Sequence, residues 1–464
     1  MSSLADVLKK VGVAAASVPL AVCSSGEDPI TGLTGGGIGT EPAIASVDAA
    51  AVAAAARPIR GLPADYDALV GEMRGARFVL LGESTHGTHE FYRERARISM
   101  RLVRERNFRA VVIEGDWPDA DRLNRYVRGL GNDRSANAAL SDFRDFPQWM
   151  WRNAEFSQFV EALRAHNASV PPADRVGIYG MDVYNLFGAI DAVISYLATL
   201  DRPAADRARS HYRCFARYRP DPASYGEATR RPARSCERQA AAVLTDLRAR
   251  PRPNDPVAAE ALFSAVRSAA AVVGAEEYNR AAYAGTLAWN VRDRHMAAST
   301  SEIADHAVAL TGGPANVVIW AHNSHVGDAR ATDMPLRGEL NLGQLLRERF
   351  GEDKVYLLGF TTYQGTVIAA DNWGGPHRVH DLRPASADSY AGIFHQAGLT
   401  DTLILLSQGS AVARTLDSPR PKREIGVIYA RESELQSHYL QTRLARQFDA
   451  VIHLDRTRAL NPHR

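Results

Sequence analysis

The chain has 464 residues, of which 45% are hydrophobic and 23% charged, a composition typical of globular proteins that bury a large core. No segment approaches the roughly 20 consecutive apolar residues that a membrane-spanning helix requires. The 55 basic and 53 acidic residues are interleaved and leave a formal net charge of +2, which argues against a nucleic-acid-binding surface. We therefore expect a small-molecule partner and neither nucleic acid nor membrane, while the sequence does not indicate the oligomeric state.

The three cysteines and the N-terminal residues bear on the cellular compartment. Cys23, Cys214 and Cys236 are too few and too irregularly spaced for a zinc knuckle or a disulfide framework, which favours a reducing cytoplasm. Residues 1–55 are predicted to be a flexible extension, because residues 26–39 are rich in glycine, proline and threonine. An apolar stretch after two early lysines resembles a secretion signal only loosely, and an amphipathic helix is the alternative there.

From residue 77 onward, short β-rich runs alternate with longer segments of helical period. This alternation predicts an α/β fold, with a mostly parallel sheet flanked by helices, in one domain of residues 56–464. The predicted strands are residues 77–82, 110–114, 176–181, 316–321, 354–360, 402–406 and 425–430. The predicted helices are residues 91–106, 185–200, 234–249 and 256–273. Residues 201–256 interrupt the pattern and predict an inserted helical cap over the active site, with a solvated helical hairpin as the alternative.

Acidic and imidazole side chains directly follow four of the predicted strands. They are Glu83 and His86, Glu114, Asp182, and the pair His322 and His325. The carboxyl ends of strands form the ligand crevice in open α/β sheets, so these side chains are expected to converge on one site. Any one of them alone would more often be a helix cap or a loop hydrogen-bonder. Their recurrence at four strand ends favours shared chemistry.

Three kinds of chemistry are compatible with these residues. A serine hydrolase needs a nucleophile elbow of the form G-x-S-x-G, which the chain lacks, so Ser84 is a poor candidate. A zinc hydrolase would use histidine pairs spaced by three residues and a nearby acid: His86/His89, His322/His325, and Glu83 or Glu114. The third possibility is a histidine that acts as general base on water, with Arg95 and a second histidine opposing the charge that grows on the carbonyl oxygen. This last arrangement needs no cofactor.

Residues 81–95, LGESTHGTHEFYRER, resemble the opening motif of the erythromycin esterase family. Further blocks resemble later motifs of that family at residues 114–118, 124–129, 290–296, 320–330, 338–344 and 359–367, so the resemblance spans about residues 60–455. It implies a three-layer α/β fold. It also implies hydrolysis of an ester, typically the opening of a macrolide lactone by attack of water without a metal.

The resemblance also implies a role for each candidate catalytic residue. His86 would be the general base, Glu83 would orient it, and Glu114 would hold the water or a neighbouring histidine. Arg95 falls at the family's active-site arginine, and His322 and His325 match its later histidine pair. The residues predicted to bind substrate are His89, Asp182, Arg292 and Tyr278. No metal ligand and no cofactor are predicted.

The resemblance leaves the substrate open. Residues 87–89, Gly-Thr-His, replace a bulkier and more apolar sequence that is associated with macrolide-inactivating members. The leading function is therefore hydrolysis of an ester or lactone in a bulky small molecule. One alternative is a biosynthetic tailoring enzyme that uses the same site on a natural product or peptide. The other is a non-catalytic haem-binding or metal-binding relative, because related proteins share the scaffold.

Overall fold

The structure is a computed structural model, and it describes residues 49–463. Its centre is a nine-stranded sheet with a separate two-stranded ribbon. The strands are β1 Ala56–Pro58, β2 Phe78–Leu81, β3 Phe108–Asp116, β4 Gly177–Asp182, β5 Asn316–Trp320, β6 Val355–Ala370, β7 His377–Leu382, β8 Thr402–Leu405, β9 Arg420–Arg423, β10 Tyr439–Thr442 and β11 Ala450–Thr457. The order in the sheet is β1-β8-β11-β6-β2-β5-β3-β4, with β7 paired to β6, while β9 and β10 form the ribbon.

The sheet is parallel from β11 through β6, β2, β5 and β3 to β4. Antiparallel pairing is confined to β1 with β8, β8 with β11, and β6 with β7. The six parallel strands therefore present their carboxyl ends along one edge, which is where α/β folds place ligands.

Helices cover both faces of the sheet. They are α1 Ala49–Ala55, α2 Asp67–Glu72, α3 His89–Glu105, α4 Trp117–Val127, α5 Ala136–Ala139, α6 Ala154–Ala168, α7 Leu186–Leu200, α8 Arg202–Tyr212, α9 Pro222–Ala228, α10 Glu237–Arg248, α11 Pro256–Ala284, α12 Ala288–Thr311, α13 Asn323–Val326, α14 Leu342–Phe350, α15 Tyr390–Gln396, α16 Ala411–Thr415, α17 Glu434–Ser437 and α18 Leu444–Gln447. Alternate residues of β2 belong to different cores: Phe78 and Leu80 to one, Val79 and Leu81 to the other. Side chains alternate across a strand, so each face buries its own core against helices and the predicted three layers are confirmed.

Most of the predicted elements are present. Six predicted strands correspond to β2, β3, β4, β5, β6 and β8, and the four predicted helices to α3, α7, α10 and α11. The strand predicted at residues 425–430 is wrong: Ile425 and Ile428 form only isolated bridges, to Thr85 and Ala370. The prediction also missed β11, which lies between β8 and β6 in the sheet.

The predicted N-terminal extension overlaps the described residues only at 49–55. These residues form α1, and Val52 is fully buried in one of the two main cores. A flexible extension is therefore the wrong description of this segment, because it packs as part of the folded unit. Residues 1–48, with Cys23 and the leader-like stretch, lie outside the described residues.

Residues 201–256 are helical as predicted, and they contain α8, α9 and α10. Their buried side chains, such as Tyr212 and Leu247, belong to the same core as one face of the sheet. Cys214 and Cys236 form a disulfide within this segment, with their Cα atoms 6.1 Å apart. The cysteine spacing predicted no disulfide framework, and this single bridge forms because the packing of α8 and α10 brings the two cysteines together.

One helix in the described part of the chain, α11, is long and apolar enough to cross a membrane by length and composition alone, and 61% of its most apolar window is buried. Core helices of globular proteins pass the same test. Its buried charged residues include Glu260, Arg267 and Glu276. Glu260 pairs with Arg128, and Arg267 pairs with Glu302.

Candidate active site

A narrow cleft lies at the carboxyl edge of the central strands, with a volume of about 680 Å³ that includes its open mouth. Its lining residues are His86, Glu114, Trp289, His322, Ser324, His325, Met334, Arg337, Glu424, Gly426, Ser437, His438, Tyr439 and Leu440. No residue of the described segment 201–256 lines this cleft. In the structure, α8 to α10 pack beside α7 and α11, and a cap over the site stays a prediction.

The loop after β2 carries Glu83 and His86 and is held by two glycines. A side chain at Gly82 would collide with the Asn323 side chain, and one at Gly87 with the backbone carbonyl of Ile368. These close approaches dock the loop between α13 and β6, because only glycine leaves room for the neighbouring atoms. His86 is thereby placed beside the ends of β3 and β5.

His86 is oriented by a chain of two hydrogen bonds. Its Nδ1 lies 2.8 Å from Glu83 Oε1, and Arg95 Nη2 donates to Glu83 Oε2 at 2.6 Å. Because a carboxylate accepts, Nδ1 carries the donated proton in neutral His86 and Nε2 keeps its lone pair. Nε2 lies 4.0 Å from Glu114 Oε1. His86 thus presents a basic nitrogen to the cleft.

Arg95 is fully buried and does not line the cleft. Its guanidinium lies 4.3 Å from the ring centre of Tyr92 and 4.8 Å from that of Trp320. The expectation that Arg95 opposes charge on the substrate's carbonyl oxygen is therefore wrong. Arg95 is a positioning residue, because it fixes the Glu83 carboxylate that orients His86.

Glu114 is the carboxylate on which the site converges. Arg292 Nη2 donates to its Oε1 at 2.7 Å, and the backbone N–H of His322 donates to its Oε2 at 2.8 Å. Burial raises the pKa of Glu114, but the charges of His325 and Arg292 outweigh burial and hold that pKa well below its ordinary value. Glu114 is therefore an anion at neutral pH.

His325 is held as an imidazolium. Its Nδ1 lies 2.9 and 3.0 Å from the two oxygens of Asp293, and its ring stacks on Trp289 with centres 4.4 Å apart. Burial lowers the pKa of His325, but Asp293 and Glu114 raise it further, to about 9. Arg292 Nη1 lies 2.9 Å from His325 Nε2, a contact in which a neutral ring would accept a hydrogen bond. Glu114 Oε1 lies 3.4 Å from the same nitrogen and can accept a hydrogen bond from it when the ring is protonated. With two carboxylates around one ring, the protonated form prevails at neutral pH.

His322 is held neutral. Burial lowers its pKa well below the ordinary value. The residue caps α13: its Nδ1 accepts from the backbone N–H of Ser324 at 3.3 Å and lies 2.8 Å from Ser324 Oγ. Because Nδ1 accepts, the ring proton is on Nε2, which faces the cleft 3.5 Å from Glu424. The ring centres of His86 and His322 are 4.9 Å apart, so a basic nitrogen and an N–H donor lie side by side.

The four predicted substrate-binding residues do not line the cleft. Asp182 accepts from Arg292 Nε and Nη2 at 2.8 and 2.6 Å, and both residues are buried. Tyr278 packs edge-on against the Tyr184 ring, which in turn covers the Arg292 guanidinium. These residues therefore lie on the side of Glu114 away from the cleft, where Asp182 and Tyr278 help to hold the Arg292 guanidinium that donates to Glu114.

His89 is also outside the cleft. It begins α3, and its Nδ1 lies 2.6 Å from Glu155 Oε1. Glu155 in turn accepts from Asn461 near the C-terminus. This contact directs the His89 ring away from His86, so a substrate-binding role is not supported.

The two alternatives, a zinc hydrolase and a haem-binding or metal-binding protein, require histidines whose unprotonated ring nitrogens point at one metal ion. Among residues 49–463, no group of three or more His, Cys, Asp or Glu side chains is arranged to hold a metal ion. His89 is turned toward Glu155 and away from His86, so the pair His86/His89 does not converge on one centre. Glu114 already faces two cationic side chains, which oppose a further positive charge.

Sequence reasoning missed Trp289, Asp293, Ser324 and Glu424. Trp289 precedes the predicted Arg292 by three residues and Asp293 by four on α12, so a helical period would have placed Trp289 on the same face as both. Ser324 lies between the two predicted histidines. Glu424 precedes a segment that was predicted as a strand, so no signal distinguished it.

The raised pKa of His325 predicts a loss of stability at alkaline pH. Since its pKa is about 9 in the folded protein and about 6.5 in an unfolded chain, its contribution is complete below pH 6.5 and disappears as pH rises through 9. The full contribution is roughly 3 kcal/mol. Urea unfolding from pH 6.5 to 9.5 should show a steeper fall for the unmodified protein than for His325→Gln. Identical slopes would contradict the assignment of a charged His325.

The sheet, its two helical layers and the histidine–carboxylate cleft define a three-layer α/β protein with an apparatus for acid–base chemistry. The sequence matches the erythromycin esterase family over residues 103–457, which is most of the chain, and the chain belongs to that family. Membership supports esterase-type hydrolase activity. The matched span contains Glu114, His322 and His325; it begins after Glu83, His86 and Arg95, which the structure brings to the same site.

Three solved structures share the fold. A succinoglycan biosynthesis protein is 21% identical with a TM-score of 0.72, and covers 89% of this chain and 97% of its own. A protein from Bacillus cereus is 19% identical with a TM-score of 0.73, covering 90% of this chain and 98% of its own. An erythromycin esterase mutant, EreC, in its open conformation is 18% identical with a TM-score of 0.59, covering 85% and 94%. The family resemblance and the predicted α/β fold are thereby confirmed.

Proposed function

We propose that this protein is a carboxylic ester hydrolase that opens an ester or lactone of a bulky small molecule by attack of water, with His86 as general base and without a metal. The observation that carries the proposal is the Arg95–Glu83–His86 chain. It fixes the ring so that the lone pair of Nε2 faces the cleft, 4.0 Å from Glu114. That geometry is what a general base needs.

The reaction begins with a water molecule held between His86 Nε2 and Glu114 Oε1, whose 4.0 Å separation leaves room for one water hydrogen-bonded to both. The water oxygen bonds to the carbonyl carbon while His86 Nε2 takes one water proton. The electron pair of the C=O bond moves onto the carbonyl oxygen, which accepts from His322 Nε2–H. When the tetrahedral intermediate collapses, the C–O ester bond breaks and His86 returns the proton to the leaving alkoxide. The products are a carboxylic acid and an alcohol.

The charges around His86 favour this proton transfer. Glu114 is an anion, so it stabilises the imidazolium that forms on His86 during attack. Arg292 and His325 keep Glu114 ionised and fixed, so the site needs no reorganisation at the moment of reaction. Neutral His322 donates a hydrogen bond to the oxyanion without repelling the cationic His86.

Family membership supports a hydrolase that acts on macrolide-like substrates. A macrolactone is therefore the first substrate class to test, followed by simpler esters. The purified protein, treated with a chelator, is incubated with a panel of lactones and esters, and products are sought by mass spectrometry as a gain of one water. Hydrolysis that survives chelation supports the proposal. Intact substrates throughout the panel, with folded protein, would contradict it.

Replacing Arg95 by Lys tests the orienting chain. The ammonium keeps the charge but loses the planar guanidinium that lies over the Tyr92 and Trp320 rings and donates to Glu83. We therefore expect kcat to fall by about 10- to 100-fold with little change in KM. The matched control is Arg93→Lys on the same helix, where a partly exposed arginine pairs with the buried Glu94 outside the cleft. Equal activities of the two variants would contradict a role for Arg95 in catalysis.

A further inference from the structure

A hydrogen-bond donor and an acceptor without partners lie next to each other in the cleft. His322 Nε2 carries the ring proton, and Glu424 Oε2 is a carboxyl oxygen 3.5 Å away, too far for a good hydrogen bond. Both atoms are buried, and neither has a hydrogen-bond partner among residues 49–463. The other acid that lines the cleft, Glu114, already accepts from Arg292 and from the backbone N–H of His322. Buried polar atoms are nearly always satisfied, so these two atoms point to a ligand that supplies both hydrogen bonds.

The position of Glu424 is fixed from two sides. Glu424 directly follows β9, and its backbone N–H donates to the carbonyl of His438 at 2.8 Å, which extends the pairing of β9 with β10. The next residue, Ile425, donates to the carbonyl of Ser84 at 2.8 Å and accepts from the backbone N–H of His86 at 3.3 Å. Glu424 therefore lies between the ribbon and the loop that carries the proposed general base.

Lys422 determines which oxygen of Glu424 is free. The Lys422 side chain contacts Glu424 Oε1, and both side chains are buried, with 1% and 9% exposed. Burial lowers the pKa of Lys422 well below its ordinary value, so the proton that the two residues share can lie on either one. In both cases the pair has no net charge and Oε2 remains an acceptor. A neutral hydroxyl therefore suits Oε2, and no second cation is required.

The proposed reaction places the carbonyl oxygen of the substrate on His322 Nε2–H. The group that donates to Glu424 Oε2 must then lie close to that carbonyl oxygen, because the two protein atoms are only 3.5 Å apart. A hydroxyl on the β carbon of the acid part meets this requirement, since a gauche rotamer brings it back toward the carbonyl oxygen. We propose that the site selects esters or lactones of β-hydroxy acids, with the carbonyl oxygen on His322 and the hydroxyl on Glu424. This inference rests on the proposed ester hydrolysis and deepens it by naming the substrate class.

The first test uses the benzyl esters of 3-hydroxybutanoate, 3-methoxybutanoate and butanoate. Only the hydroxy ester has a hydrogen-bond donor on the β carbon, whereas the methoxy ester keeps the oxygen and loses the donor. For the unmodified protein, kcat/KM for the hydroxy ester should exceed that for each of the other two by about tenfold or more, because only this ester satisfies the buried carboxyl oxygen. Equal values for the hydroxy and methoxy esters would overturn the inference.

Removing the Lys422–Glu424 pair tests the site itself. The variant Lys422→Met/Glu424→Met replaces both residues, so no unpaired charge is left buried. Its preference for the hydroxy ester over the methoxy ester should fall to within about twofold. The matched control is Arg423→Met/Glu434→Met, which removes a buried ion pair of the next residue on β9 that does not line the cleft. The control should keep the preference of the unmodified protein, and a preference that survives in Lys422→Met/Glu424→Met would contradict the assignment.

Binding measurements separate recognition from the reaction. The same three esters are compared by equilibrium dialysis against His86→Asn, which lacks the proposed base, so no turnover is needed. Binding of the hydroxy ester that is about tenfold tighter than that of the methoxy ester supports the site even if the unmodified protein hydrolyses none of them. In that case the proposed function alone fails. If the hydroxy and methoxy esters bind equally, Glu424 does not recognise a hydroxyl and the inference is wrong.

Discussion

Replacing His86 by Asn is expected to lower kcat for ester hydrolysis by about 100- to 1000-fold, the range for loss of a general base. Asparagine retains a side-chain N–H that can still donate to Glu83, so the loop between the two glycines should keep its shape. What is lost is the basic nitrogen that lies 4.0 Å from Glu114. The measurement is kcat on a substrate that the unmodified protein hydrolyses, with KM expected to change little.

His89→Asn is the matched control, because it makes the same change three residues away at a histidine that pairs with Glu155 outside the cleft. It should leave kcat within about threefold of the unmodified protein. Circular dichroism and urea unfolding establish that both variants are folded. Near-normal turnover in folded His86→Asn would remove the general-base role, and equal losses in both variants would point to the shared loop.

Much of the site could be predicted because the end of a β-rich run can be recognised in the sequence. The β-rich runs of β2, β3 and β5 end in Glu83, Glu114 and His322, and parallel strands must bring such ends to one edge. Hydrophobic periodicity fixes which residues face the cores, so the layers could also be predicted. Glu83, Glu114 and His322 therefore lie at the sheet edge where the sequence pattern predicted them.

The roles of the arginines could not be predicted in this way. Arg95 and Arg292 were expected to face substrate, but both are buried behind carboxylates. Whether a guanidinium faces a ligand or an acid depends on side-chain packing across α3 and α12, and no local pattern encodes it. The acidic partner of Arg292, Asp182, comes from a strand 110 residues away in sequence.

The failed strand at residues 425–430 has a related cause. Apolar residues there, such as Ile425 and Val427, pack into two different buried clusters. The segment is buried like a strand, but its backbone pairs only at isolated positions, with the His86 loop and with β6. Apolar content predicts burial, whereas pairing depends on which backbone lies alongside.

Replacing Arg292 by Met is expected to lower the free energy of unfolding by about 3 to 5 kcal/mol. We expect this to be the largest loss of stability caused by any single change at the site. Methionine fills a similar volume without charge, so Asp182 and Glu114 would be buried with no arginine between them. Both accept from Arg292 at 2.6 to 2.8 Å in the folded protein. Loss of this cation should also raise the pKa of Glu114, since Arg292 is one of the charges that lower it.

Arg267→Met is the matched control for the loss of a buried arginine. Arg267 is as buried as Arg292, but its partner Glu302 is partly exposed and can be hydrated when the arginine is gone. Its loss should therefore cost clearly less in urea unfolding. Adding Asp182→Asn to Arg292→Met removes one of the two unpaired charges, so the double variant should regain part of the lost stability. If Arg292→Met costs no more than Arg267→Met, or if Asp182→Asn deepens the loss, Arg292 does not act as the counter-charge that holds these two carboxylates together.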